Sequence, residues 1–140
     1  MILEWEGGQR FRASTPAGSQ VLDGERVAGA SPTDALLAAL AACMGIDIVD
    51  ILRKGRQELK ACRIESSGTR RDTPPRRFTG VHLMIEVKGS NLNYDKVQRA
   101  VELSRTTYCS VWNSMAPDID LVVEVRVINR EPKQTQGNRP

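Results

Sequence analysis

Ser31-Pro-Thr-Asp-Ala-Leu-Leu-Ala-Ala-Leu-Ala-Ala-Cys43-Met-Gly-Ile-Asp47-Ile-Val-Asp-Ile-Leu-Arg-Lys-Gly55 carries the punctuation of a helix. Ser31 stands at the N-cap position, Pro32 suits the first helical residue, and Asp34 completes a capping box. Arg53 and Lys54 match the negative end of the macrodipole, and Gly55 offers a left-handed stop. Positions 35–46 are apolar or small on every side, which predicts a helix buried all round. The run ends at Asp47 and Asp50, short of the roughly 20 apolar residues a membrane span needs. Ala38, Ala41, Ala42 and Gly45 line up as a smooth stripe that admits a second backbone, while Leu36, Leu40, Cys43, Asp47 and Asp50 lie away from it. A lone buried cysteine is ordinarily a small hydrophobe. Asp47, one turn after Cys43, complicates that reading, because a carboxylate on a buried helix needs a hydrogen-bond or cationic partner.

Outward from the helix the pattern changes to period two. Residues 2–6 and 9–13 alternate around Gly7-Gly8 as a hairpin, Thr15-Pro-Ala-Gly18 is a second turn, and Gln20 to Asp23 makes a third short strand. A Gly/Ala linker, 24–30, carries Glu25 and Arg26 to the helix. Beyond it, residues 59–65 form a strand with Cys62 and Ile64 inward, and Phe78 to Val87 alternates with Val81, Leu83, Ile85 and Val87 on one face. His82 falls on the other face. Asn93 to Arg105 is an amphipathic helix whose inner face reads Tyr94, Val97, Val101, Ser104 and Tyr108. Cys109 opens a short helix to Met115, where free N–H groups favour a thiolate, and Ile119 to Ile128 is the last strand. This order implies an α+β fold with a mainly antiparallel sheet, a single domain over residues 1–129, and a polar tail at 130–140. One six-stranded sheet covers only one side of the central helix. The remaining cover is expected from a second copy of the chain, an intertwined homodimer with the Ala/Gly stripe as one contact.

Composition narrows the function classes. A chain of 140 residues with 40% apolar and 26% charged side chains has the make-up of a soluble globular protein. A net charge of +3 is too small to imply nucleic acid, and Arg70-Arg71 and Arg76-Arg77 flank a solvated loop without an aromatic platform for bases. The first residues have neither a basic nor an apolar leader segment. Three cysteines, an odd number, make no disulfide framework, and one histidine without CxxC or HxxxH spacing argues against zinc. The expectation is a reducing cytoplasm, with no membrane and no nucleic-acid partner.

Two segments resemble a known family. Ala30-Ser-Pro-Thr-Asp-Ala-Leu-Leu-Ala-Ala-Leu-Ala-Ala-Cys43-Met-Gly-Ile-Asp47 is similar to the first cysteine motif of the OsmC/Ohr superfamily, and Leu103-Ser-Arg-Thr-Thr-Tyr108-Cys109-Ser-Val111 to its second. The Gly-Ile-Asp47 and Tyr108-Cys109-Ser-Val details are nearest the YhfA-like branch. The resemblance implies an OsmC-like α+β homodimer with active sites at the subunit interface. It also implies a thiol-dependent peroxidase for organic hydroperoxides, active in oxidative-stress defence. Carried over by motif, Cys43 is the peroxidatic thiol and Cys109 the resolving thiol. A disulfide between them is reduced by an external dithiol, a lipoylated protein in the characterised branches. No metal or organic cofactor enters that chemistry.

The chain departs from the family pattern at two places. The position after the motif proline, Glu in the peroxidases, is Thr33, and the family's activating arginine falls about where Asp23 stands. Cys43 lies mid-helix, where burial and Asp47 are expected to raise its pKa, so it needs a cation; Arg26, Arg12 and Arg105 are the candidates. Cys109, at a helix start, is expected to ionise more readily. These departures sustain an alternative reading, an OsmC-fold module that binds a small molecule or senses redox state without efficient turnover.

Overall fold

The computed structural model describes residues 1–130; the expected tail from 131 onward lies outside the described residues. The chain divides into two compact units, with the boundary between Leu40 and Ala41.

The first unit is an antiparallel meander of β1 (Ile2–Trp5), β2 (Arg10–Thr15) and β3 (Gly18–Asp23). The reverse turn between β1 and β2 depends on Gly7 and Gly8, at φ 94° and 56°, a region that costs other residues steric strain. Ala13 is buried, whereas Ile2, Leu3, Trp5 and Phe11 remain exposed. After β3 the loop 24–30 folds back so that Leu22 bridges to Ala30. Helix α1 (Pro32–Lys54) then begins with the expected capping box. The Asp34 N–H donates to Ser31 Oγ, and the Ser31 N–H donates to Asp34 Oδ2, each at 3.2 Å.

The second unit holds the rest of α1 and a three-stranded sheet in the order β4 (Glu58–Arg70), β5 (Phe78–Ser90), β6 (Asp120–Asn129). The six strands thus form two sheets of three within the chain, not one sheet of six. β5 pairs antiparallel with β4 and parallel with β6, from Gly80 opposite Asp120 to Gly89 opposite Asn129. As the alternation predicts, Val81, Leu83, Ile85 and Val87 are buried, and His82 faces the other way, 3.0 Å from Glu124. The parallel pair requires a crossover, which residues 91–119 supply. Asn93 caps α2 (Tyr94–Leu103) by accepting from the Lys96 N–H, and Val97, Ala100 and Val101 are its buried residues. Asn129 ties the crossover to β6 through both backbone groups of Leu92, at 2.7 and 3.0 Å.

Three expectations about the helices change. First, α1 is not buried all round within one chain. Its buried row is Leu37, Leu40, Met44, Ile48 and Leu52, at three- and four-residue spacing, while Ala38, Ala39, Ala42 and Ile46 are exposed. Second, Gly55 does not supply the left-handed residue. Arg56 does, at φ 55°, with Arg56 N–H to Arg53 and Gln57 N–H to Leu52 closing the double bond pattern of a Schellman cap. Third, Tyr94 and Tyr108 are exposed at 52% and 57%, not inward. Past Leu103 the helix widens into a π-turn, Ser104–Tyr108, which carries Tyr108 off the α-helical repeat. α1 ends at Lys54, as its end signals predict; against the expectation drawn from the run 35–46, it is long and apolar enough by length and composition alone to cross a membrane. One row of it is buried within the chain, and Asp47 on it has a polar partner, described below.

Candidate functional site

The π-turn and the short helix α3 (Ser110–Asn113) bring the second cysteine motif to α1. The sulfur of Cys43, the sulfur of Cys109 and a carboxylate oxygen of Asp47 all lie within 4.8 Å of one another. Cys109 is fully buried and Cys43 half-buried. The juxtaposition is long-range; no local spacing could reveal it.

Dipoles of the second motif converge on the sulfurs. Cys109 is itself the N-cap of α3, its Sγ accepting from the Trp112 N–H at 3.3 Å. Cys43 Sγ lies 4.0 Å from the Ser110 hydroxyl, and the Val111 N–H and the Cys109 thiol stand near enough to act on its acidity. The Ser104 hydroxyl donates to Asp47 Oδ2 at 2.7 Å, which is the partner a buried-helix carboxylate requires. Ser104 is fully buried on the inner face of its helix. Together with Ser110 and the two backbone donors, it belongs to the site and was not singled out by sequence reasoning. A hydroxyl on an apolar helix face, in a chain with an equally orphaned Asp47, was the signal available.

The thiol acidities come out opposite to expectation. Burial pushes the Cys43 thiol up and Asp47 adds to that, but the donors from Val111, Cys109 and Ser110 outweigh both and lower it. The Cys109 thiol is pushed up to about 11, first by burial and then by Cys43 and Asp47, against the Trp112 N–H. Cys43 was expected to be the sluggish thiol because its own helix offers it no free N–H; the start of α3 supplies one instead. At Cys109 desolvation outweighs the helix terminus. The donors gathered on Cys43 thus favour its thiolate over that of Cys109.

The remaining candidates lie elsewhere in their own units. Arg26 forms a two-bond pair with Asp34, at 2.6 and 3.1 Å, and Arg12 one with Glu6, at 2.6 and 3.2 Å. Arg105 is exposed on the π-turn beside Arg99 and Glu102. Asp23, near the place of the family's arginine, is 1% exposed and accepts from the N–H groups of Glu25, Val27 and Ala28 at 2.8–3.1 Å. It organises the loop 24–30. Cys62 is half-buried, raised by burial, and lines an open apolar trough of about 550 Å³ with Ala42, Gly45, Ile46 and Ile64. Gly45 of the smooth stripe meets β4 there, since a β carbon would stand 3.0 Å from Ile64 Cδ1.

Comparison with known proteins bears on what this arrangement is. The family model for OsmC-like protein matches residues 23–124, a stretch containing both motif cysteines. Protein YhfA of Escherichia coli K12 is 40% identical over 111 residues, covering 78% of this chain and 83% of that protein. A crystal structure of a protein from Aquifex aeolicus VF5 superposes with a TM-score of 0.86 at 28% identity, over 93% of this chain and 96% of that one. The organic hydroperoxide resistance protein OhrB of Bacillus subtilis, 17% identical, has the same fold, with a TM-score of 0.63 over 89% and 96% of the two chains. The paired cysteines, the two three-stranded sheets and these matches agree: the chain belongs to the OsmC-like family.

Proposed function

We propose that the protein is a thiol-dependent peroxidase that reduces organic hydroperoxides through Cys43 and Cys109. The observation that carries the reading is the pair of thiols within 4.8 Å, with hydrogen-bond donors gathered on the sulfur of Cys43. The Cys43 thiolate attacks the terminal oxygen of the hydroperoxide; an S–O bond forms, the O–O bond breaks, and the alkoxide leaves. That alkoxide takes the proton which Cys109 still holds, giving the alcohol. The Cys109 thiolate so produced attacks the sulfenic sulfur, the S–S bond forms, the S–O bond breaks, and hydroxide leaves, becoming water with the proton that Cys43 gave to solvent on ionising. Two electrons have passed from the thiols to the peroxide, and an external dithiol, a lipoylated protein by analogy with the family, restores them. Leu40 and Met44, buried on either side of Cys43 along α1, suit an alkyl peroxide.

The working form in this reading is a cytoplasmic homodimer. Supporting it are the open apolar trough beside α1 and the exposed Ile2, Leu3, Trp5 and Ile46, surfaces that a second copy of the chain would cover. Light scattering should give twice the 15.5 kDa chain mass at micromolar concentration; a stable folded monomer would count against it.

One specific observation favours the binding or redox-sensing alternative. Thr33 replaces the family Glu, and Asp47 is the charged side chain that acts on both thiols. Peptide mapping of the prereduced protein after one equivalent of cumene hydroperoxide separates the two. A Cys43–Cys109 disulfide is expected, with a trappable sulfenic acid on Cys43 in the Cys109→Ser variant. Unmodified thiols in folded protein would leave the binding module as the better reading.

A further inference from the structure

We propose that the reduced protein binds a thiophilic divalent cation, with Zn²⁺ as the type case, through Cys43, Asp47 and Cys109. Three donor atoms from two distant parts of the chain already lie within 4.8 Å of one another. Zinc–sulfur bonds of about 2.3 Å and zinc–oxygen bonds of about 2.0–2.2 Å put tetrahedral donors about 3.5–3.8 Å apart, so small side-chain rotations close the set. Two thiolates and one carboxylate select a borderline-soft ion over Mg²⁺ or Ca²⁺, and a fourth position is left for water.

The outer contacts are those of a ligand set. Ser104 orients the Asp47 carboxylate by donating to Oδ2, and among the described residues Oδ1 has no hydrogen-bond donor, which suits it to coordinate. The Trp112 N–H donates to the Cys109 sulfur at 3.3 Å, a contact of the kind that stabilises a metal-bound thiolate. Asp47 takes part in none of the ion pairs among the described residues, so its carboxylate is not committed to a cationic side chain there. Entry of the divalent cation displaces the thiol protons to solvent, up to two per ion, without change of oxidation state.

The test is Co²⁺ titration of the reduced, full-length protein followed by Zn²⁺ displacement. The expected result is one Co²⁺ per chain, with a thiolate-to-cobalt charge-transfer band, strong tetrahedral d–d absorption, proton release, and displacement by Zn²⁺. Cys62→Ser should leave the spectrum unchanged. Cys43→Ser and Cys109→Ser should each lose part of the charge-transfer band, and Asp47→Asn should weaken Zn²⁺ binding at least about tenfold. A wild-type spectrum without charge transfer overturns the proposal whatever the variants do. So does Zn²⁺ affinity that survives Cys43→Ser. The readout needs no peroxide turnover. A protein that binds cobalt through thiolates yet ignores hydroperoxide sinks the peroxidase reading alone, and the converse result sinks this one alone.

Discussion

Asp23, buried, and Asp47, half-buried, are carboxylates in two regions of the molecule, and their surroundings differ in kind. Around Asp23 three backbone N–H groups of the following loop fill both oxygens. Such a carboxylate has most of its roughly four acceptor sites filled by its own loop and serves to hold a shape. Around Asp47 one hydroxyl occupies one oxygen, and two thiols stand next to it. Unspent acceptor capacity beside a nucleophile is what marks the second region as chemical and the first as structural.

The comparison can be broken experimentally. The largest effect expected is at the nucleophile: Cys43→Ser should abolish hydroperoxide consumption with the protein still folded, measured by ferrous-oxidation assay. Residual turnover at the wild-type rate would place the chemistry elsewhere. Asp23→Ala should lower the denaturation midpoint in urea clearly, with m unchanged, because three donors lose their acceptor together. The loss should be larger than for Asp47→Ala, which strands a single hydroxyl; equal losses would erase the distinction between the regions. Asp23 also has a pH signature. Its folded pKa is lowered by the N–H groups of Ala28 and Glu25, so its contribution is present above the unfolded value of 3.8 and disappears as pH falls through the folded value. The acid limb of the stability curve should flatten in Asp23→Asn.

A finer test concerns the two thiols. In the Cys62→Ser background, thiolate absorbance should rise in two steps, the first below the ordinary thiol value of 9.0 and the second near 11. Asp47→Asn should shift both steps to lower pH, each by less than about tenfold in the ionisation constant, since burial is the larger cause. A single step, or no response to Asp47→Asn, would contradict the assignment of Cys43 as first to ionise. The smallest effect is expected of Cys62→Ser itself. About 1 kcal/mol or less of stability should be lost at this half-buried strand position, with hydroperoxide turnover retained.

Much of this was legible in the chain. Ser31, Pro32 and Asp34 announced α1, the alternation from Val81 to Val87 announced the central strand, and the two motifs announced which cysteines meet. What local pattern could not carry was partnership at a distance. Nothing near Cys43 in sequence shows that Val111 and Ser110 will donate to it, so its acidity was misjudged. Nor can alternation say whether six strands make one sheet or two. Arg56 taking the left-handed position one residue after Gly55 shows a different limit, because the cap is set by which carbonyls remain unpaired. Asp23 was within reach: an aspartate followed by Gly and a run of free N–H groups is an Asx-type signal.

The parallel pairing of β5 with β6 has a kinetic consequence. β4 and β5 are joined by a short loop and can zip together early, whereas β6 docks only after residues 91–119 have been laid across the gap. Cys109 rides on that crossover. The first thiol is therefore expected to exist in a folded helix before the second arrives, and completing the redox pair becomes one of the last events of folding. Low φ-values for Leu121 and Val125 on β6, against higher ones for Leu83 and Ile64, would be the sign of that order. A chain stalled at this stage would hold Cys43 without its partner thiol and without the donors of α3 that favour its thiolate.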